Sequence, residues 1–318
     1  MKRIIFFITI FFLITGFIAA KGEKEKEGDF FVLEREFKYT VIPENPRPGE
    51  PITIAATRDA VKAVLLADGK QRGSASFFTV PAEDNKPDFL AAILTIPSTV
   101  EPGIAVIRLE GEDGAICDKL ITIEDREFPS ETLRLNSSLT NLLTQPDPKK
   151  AEESRKLWEV LSAFGSDIYA SGQFLLPIET TRRTSRYGGR RIQEYSNGRK
   201  DTSIHAGVDF GAPTGTPVTA CASGKVVLAV MRILSGNSVI IEHLPGVFSI
   251  YYHLDKIEVT EGDIVTAGSR IGTVGATGFA TGPHLHWEVR VNGENTDPDV
   301  FVSRPLLDKD LIISKIFT

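Results

Sequence analysis

The chain has 318 residues, 42% hydrophobic and 25% charged, a balance that folds into packed domains and excludes disorder as its overall state. At roughly 100 to 200 residues per domain, that length allows two or three domains. A formal net charge of −6 excludes nucleic-acid binding as the main task, since phosphate backbones are met by basic surfaces.

Residues 1–20 read as a secretory signal peptide: Met1-Lys2-Arg3 is a positive start, Ile4 to Ala20 is an apolar run, and Ala19-Ala20 is a small-residue end. The alternative is an uncleaved anchor, because roughly seventeen apolar residues reach the lower limit for a spanning helix. Membrane contact is expected only in that case. Residues 21–36 are a charged linker.

From 37 to 125, short apolar segments alternate with turn signals such as Pro48-Gly49, Asp68-Gly69, Pro102-Gly103 and Asp113-Gly114. Seven short strands are expected: Lys38–Pro43, Pro51–Ala56, Val61–Ala67, Ser76–Val80, Phe89–Ile96, Ile104–Leu109 and Lys119–Ile123. Their spacing predicts an immunoglobulin-like β-sandwich. It carries no catalytic constellation, so a spacer or a docking site for an envelope protein is its expected role.

Residues 126–170 are expected as a helical connector. Asp147 caps a helix over Lys149–Phe164, Pro148 opens it and Gly165 stops it. Leu157, Trp158, Leu161 and Phe164 form its packing stripe. Over 171–302 the pattern is β again and glycine-rich, with strands at Val226–Val230, Ser238–Glu242, Phe248–His253, Arg270–Val274 and His284–Val291. Residues 303–318 are read as a C-terminal tail. The fold class is therefore mainly β: a sandwich, a helical connector and an antiparallel sheet domain. The two cysteines, Cys117 and Cys221, are expected as unpaired buried thiols, since they fall in different domains and in no C-x-x-C pattern.

All five histidines lie between 205 and 286. His205 stands four residues before Asp209. Gly207 and nearby Gly211-Ala212-Pro213 argue against a helix there, and in an extended chain residues 205, 207 and 209 share a face. Gly207 would leave open space between the two side chains. His284 and His286 likewise share one face of a strand while Leu285, Trp287 and Val289 take the other. Two imidazoles and one carboxylate, with a position left for water, suit a catalytic zinc ion; a closed four-ligand site is the alternative.

Three ordered segments carry a family resemblance: His205-Ala206-Gly207-Val208-Asp209, Tyr251-Tyr252-His253-Leu254 and Gly282-Pro283-His284-Leu285-His286-Trp287-Glu288. With Ser185-Arg186-Tyr187-Gly188 and the glycine turns between them, residues 172–300 resemble the lysostaphin-like (LytM-type) zinc endopeptidases. Gly211 departs from that pattern, where alanine is frequent. The resemblance implies that His205, Asp209 and His286 bind one zinc ion. It implies that His284 and His253 are catalytic, one moving a proton from water to the leaving amine and the other holding the oxyanion. His284 is favoured as the base. It also implies the substrate, peptide stems or crosslinks of bacterial peptidoglycan, and hence a periplasmic or envelope location. A non-enzymatic wall-binding or hydrolase-regulating protein of the same fold is the competing reading. His243 belongs to none of the patterns and is expected to be structural. Tyr252, Asn237 and Thr281 are candidates for the groove wall. The pairs Arg182-Arg183 and Arg190-Arg191 read as solvated loop charge, with acidic groups of the wall as the alternative partner.

Overall fold

The computed structural model describes residues 38–81 and 86–317. The expected signal segment 1–20 and linker 21–36 lie outside them. Among the described residues no helix is long and apolar enough to cross a membrane.

The described residues begin with β1 (Tyr39–Ile42), β2 (Pro51–Ala56), β3 (Ala60–Ala67), β4 (Lys70–Ser76), β5 (Phe78–Val80), β6 (Phe89–Thr95), β7 (Gly103–Gly111) and β8 (Ile116–Ile123). They form two four-stranded antiparallel sheets, ordered β1-β2-β6-β5 and β4-β3-β7-β8. One core joins the sheets, with Ile52, Ile54 and Leu94 from the first facing Leu65, Ile107 and Ile121 from the second. Burying each of these aliphatic side chains contributes roughly 1.5–3 kcal/mol.

Among the described residues there are eight strands here, not the seven expected. The additional one, β4, reads Lys-Gln-Arg-Gly-Ser-Ala-Ser and carries no apolar signal. It forms because the Asp68-Gly69 turn folds it back onto β3, with φ values of 52° and 68°. Two positive φ values are what a tight type I′ hairpin turn needs. The β1-β2-β6-β5 sheet is buried on its other face as well. Ala55, Phe78, Phe89 and Ile93 join the large core that holds Phe210 and Trp287. This explains why all of β2 is buried although its sequence does not alternate.

The connecting segment holds β9 (Ser130–Arg134), α1 (Ser137–Thr144) and α2 (Pro148–Ser162). Asn136 caps α1, and Asp147 caps α2 with Pro148 in its first turn. The second helix ends at Ser162, earlier than expected, because Ala163 turns extended. Gly165 is not the stop. Its N–H donates to Glu242 Oε1 at 3.2 Å, and a Cβ there would lie 2.6 Å from that oxygen. Leu161 and Leu157 pack on Leu228, Ile240 and Phe248, whereas Trp158 is half exposed beneath the Arg290 guanidinium.

The strands β10 (Arg183–Ser185), β11 (Arg190–Glu194), β12 (Lys200–Ile204) and β13 (Val208–Gly211) follow. After them come β14 (Pro217–Thr219), β15 (Gly224–Arg232), β16 (Gly236–Leu244), β17 (Val247–Ile257), β18 (Ile264–Val265), β19 (Arg270–Val274), β20 (His284–Val291) and β21 (Glu294–Thr296). The main sheet runs β10-β13-β20-β17-β16-β15-β18, with β19 on β17 and β21 on β20. A separate sheet, β12-β11-β9, includes one parallel pairing, β11 with β9. Two helices close the chain, α3 (Pro298–Ser303) and α4 (Lys309–Ile316). The segment expected as a tail thus buries Ile312 and Ile316 in the large core. Cys221 is buried and Cys117 only half-buried; neither is in a disulfide.

Candidate metal and catalytic site

Three adjacent strands bring the predicted residues together. In the β13/β20 register Asp209 faces His286 and Gly211 faces His284. On the other side of β20, Tyr252 of β17 faces His286. His205 lies just before β13, held by its own N–H to Gly189 O at 2.9 Å and by Gly188 N–H to its carbonyl at 2.9 Å. His253 has φ of 63°, in the left-handed region, where histidine occurs more than most residues. That turn brings its ring to 4.7 Å from the ring of His284.

The reading of Gly207 is corrected. A Cβ there would lie 2.2 Å from Trp287 O, so the glycine admits the β20 backbone rather than leaving space for an ion. The residues 205–209 are not one continuous strand either; β12 ends at Ile204 and β13 starts at Val208. Gly211 has a comparable reason, since a Cβ would lie 2.8 Å from Thr184 Cγ2.

His205, Asp209 and His286 are all buried, and their ligand atoms lie within 4.8 Å of one another. Each imidazole has one nitrogen committed elsewhere. His205 Nδ1 donates to Arg186 O at 2.8 Å, which leaves Nε2 with its lone pair. His286 Nε2 donates to Glu288 Oε1 at 3.0 Å, which leaves Nδ1 with its lone pair. These two nitrogens are 3.0 Å apart, and Asp209 Oδ1 is 3.1 Å and 2.7 Å from them. Two lone pairs and a carboxylate oxygen at such distances repel unless a cation sits among them. The donor set therefore fits a metal of the zinc class, whose usual ligands are imidazole and carboxylate.

The ionisation of the surroundings agrees. Burial opposes protonation of His286, but hydrogen bonds and charge from Asp209 and Glu288 overcome it and push its pKa up to about 9. A proton thus takes the cation's place when no metal is bound. Burial opposes ionisation of Asp209, yet His205 and His286 hold its carboxyl well below the usual range. Burial likewise works against Glu288, but the Arg290 charge and His286 bring it down to about 2. Arg290 Nε donates to Glu288 Oε2 at 2.9 Å, so Arg290, Glu288 and His286 form a chain behind the site.

Next to the trio, His284 and His253 keep Nε2 uncommitted. His284 Nδ1 donates to Gly282 O at 2.8 Å, and His253 Nδ1 donates to Thr277 O at 2.8 Å. His284 Nε2 lies 3.8 Å from Asp209 Oδ1. Burial, then the neighbouring His284 and His286, press His253 down to about 3, so its ring is neutral. Both rings line a cleft of about 490 Å³ whose walls include Leu133, Leu143, Ile204, Leu234 and Phe279. Tyr252 and Thr281 also line it. Asn237 does not; its amide donates to Leu254 O and Asp255 O and ties the start of β16 to β17.

Of the four arginines expected in solvated loops, three have fixed partners. Arg190 donates to Ser98 O at 2.6 Å and stacks on Phe128. Arg183 pairs with Asp299 at 2.8 Å. Arg191 donates to Asp209 Oδ2 at 2.8 Å, a contact with the site that the sequence does not signal. Glu288 was legible in principle, as the next residue on the His284–His286 face of β20.

His243 lies outside the cleft. It is fully buried, its Nδ1 donates to Ser223 O at 2.8 Å, and its Nε2 accepts from Ser249 Oγ at 2.7 Å. Burial depresses its pKa to about 4. Because the folded pKa is below the unfolded one, the unfolded chain binds the extra proton between about pH 6.5 and 4. Stability contributed by neutral His243 is present above about pH 6.5 and is lost as pH falls towards 4, by about 3 kcal/mol in all. Urea unfolding at pH 7 and pH 5 measures this. The fall between the two is expected to shrink in His243→Gln.

The model of "Peptidase family M23" matches residues 203–298. The DD-carboxypeptidase/endopeptidase Mpg of Neisseria meningitidis is 41% identical over 135 residues, which are 42% of this chain and 30% of that protein. The peptidoglycan DD-endopeptidase ShyA of Vibrio cholerae is 40% identical over 118 residues, 37% of this chain and 27% of that protein. The match therefore spans under a third of these curated relatives. A crystal structure from Pseudomonas aeruginosa described as a peptidase M23 superposes with a TM-score of 0.57 at 24% identity, covering 81% of this chain and 94% of that one. Its likeness shows the fold, including the strands that precede the matched segment.

Proposed function

The chain carries a domain of the metallopeptidase family M23, and from that premise we propose that it is an exported zinc endopeptidase that hydrolyses amide bonds in the peptide part of peptidoglycan. One observation carries the proposal: three converging ligand atoms stand beside two histidines that line a cleft and keep Nε2 uncommitted. His205 through Nε2, His286 through Nδ1 and Asp209 through Oδ1 would hold the ion. When bound, zinc supplies Lewis-acid polarisation of a carbonyl and an acidified water.

The chain's own residues supply the rest. His284 accepts the proton of the attacking water at Nε2 and delivers it to the leaving nitrogen, with its ring fixed by Gly282 O. His253 is a poor proton acceptor for this, since its pKa is near 3. Its neutral Nε2 accepts a hydrogen bond and so orients the water. In this tautomer it does not donate, and a hydrogen bond to the oxyanion would require a protonated ring. Arg290 and Glu288 keep the His286 ring in the ligating orientation. The apolar segment expected as an export signal, together with relatives named peptidoglycan DD-endopeptidases, supports a location in the cell envelope.

Incubation of purified peptidoglycan with the zinc-loaded full chain, followed by mass spectrometry of soluble fragments, tests the reading. Fragments with a new amine and a new carboxyl in the peptide are expected. Intact peptides, with binding to the wall alone, would favour the non-enzymatic alternative.

A further inference from the structure

The metal ligand Asp209 has two carboxylate oxygens, and only Oδ1 faces the histidine nitrogens. Oδ2 accepts from Arg191 Nη2 at 2.8 Å. The guanidinium thereby fixes the rotation of the carboxylate. A cation this close to a metal also has an electrostatic cost, and Glu131 offsets it. Glu131 Oε1 accepts from Arg191 Nε at 2.5 Å and from Ser185 Oγ at 2.8 Å. Ser185 Oγ also lies 3.1 Å from His205 Nδ1, but that nitrogen donates to Arg186 O, so the path from Glu131 to the ligands runs through Arg191. The side chains of Arg191 and Asp209 are 17% and 10% exposed, so their interaction is screened less than a surface pair.

Glu131 is placed there by register, since β9 pairs in parallel with β11 and sets Glu131 opposite Arg191. Both residues precede the segment 203–298 that matches the family model. The geometry points to Arg191 and Glu131 as one positioning pair for Asp209, through which the connecting segment helps to set the metal affinity of the site. This rests on the reading that His205, Asp209 and His286 bind zinc.

The test measures zinc dissociation constants of the full chain by competition with a chromophoric chelator, for wild type, Arg191→Gln, Glu131→Gln and the double variant. Unfolding midpoints in excess chelator serve as the control for folding. Each single substitution is expected to weaken zinc about 10–100-fold, the range for partners of metal ligands. The double variant is expected to bind no more weakly than Arg191→Gln, because Glu131 acts through Arg191. Glu131→Gln is isosteric and half-exposed, so it remains informative if Arg191→Gln folds poorly. Wild-type zinc affinity in the single variants, or losses that add in the double one, overturns the inference while the metal reading stands. A wild-type chain that binds no zinc overturns the metal reading itself, and the inference with it.

Discussion

His284→Ala is expected to lower hydrolysis of peptidoglycan by about 10²–10⁴-fold, the usual contribution of a general acid–base group, while zinc stays bound. The reason is positional. His284 is not among the three residues whose ligand atoms converge, and its Nδ1 is occupied by Gly282 O. Its free Nε2 is 3.8 Å from Asp209 Oδ1, beside the three converging ligand atoms and outside that set. Removing the ring leaves Asp209, His205 and His286 with all their partners. Turnover on purified peptidoglycan and metal content of the same preparation measure the two effects separately. Loss of zinc along with activity would place His284 among the ligands. Unchanged turnover would remove it from the proton path.

The second large effect is expected at Asp209. Asp209→Asn keeps the shape of the side chain but removes the negative charge and replaces one oxygen with an NH₂ group. A neutral amide is a poor zinc ligand, and no other carboxylate is among the three converging residues. The variant is expected to lose stoichiometric zinc and with it measurable hydrolysis, at least 10³-fold on the scale of combined metal and acid–base effects. The substitution also removes one of the two anionic partners of Arg191 and leaves Glu131 as the other. Metal analysis after gel filtration checks the first outcome, and digestion of the wall checks the second. Full zinc occupancy in Asp209→Asn would show that the two imidazoles suffice.

The comparison of sequence with structure separates two kinds of information. Period-two alternation put His284 and His286 on one face and Leu285, Trp287 and Val289 on the other, and the structure buries that second face in the core. Alternation reports what a strand does to its own side chains. It says nothing about what lies across from them. Gly207 was misread for that reason, since the space beside it is filled by the Trp287 carbonyl of another strand. Glu131 and Arg191 were invisible for a stronger reason. They lie 60 positions apart and meet only through a parallel pairing, which leaves no local signal. The missed strand β4 shows the limit of apolar patterning, because a polar segment after a well-formed turn follows its partner regardless of composition. The early end of α2 shows another. Gly165 has the identity of a helix stop but is required by the closeness of Glu242.

The structure also enlarges what the front sheets do. The β1-β2-β6-β5 sheet shares a core with Phe210 and Trp287, the same strands that carry Asp209 and His286. Thr95 Oγ1 and Thr296 Oγ1 are 2.5 Å apart across this contact, and Asn292 Nδ2 donates to Ile93 O at 2.7 Å. The front segment therefore supports the back of the main sheet in addition to any docking role.

The most direct measurement titrates zinc into the metal-free full chain while following release of new amines from purified peptidoglycan. The account predicts no hydrolysis at the start, a rise proportional to added metal, and saturation at one zinc per chain. Hydrolysis by the metal-free protein, or none at full occupancy, would contradict it.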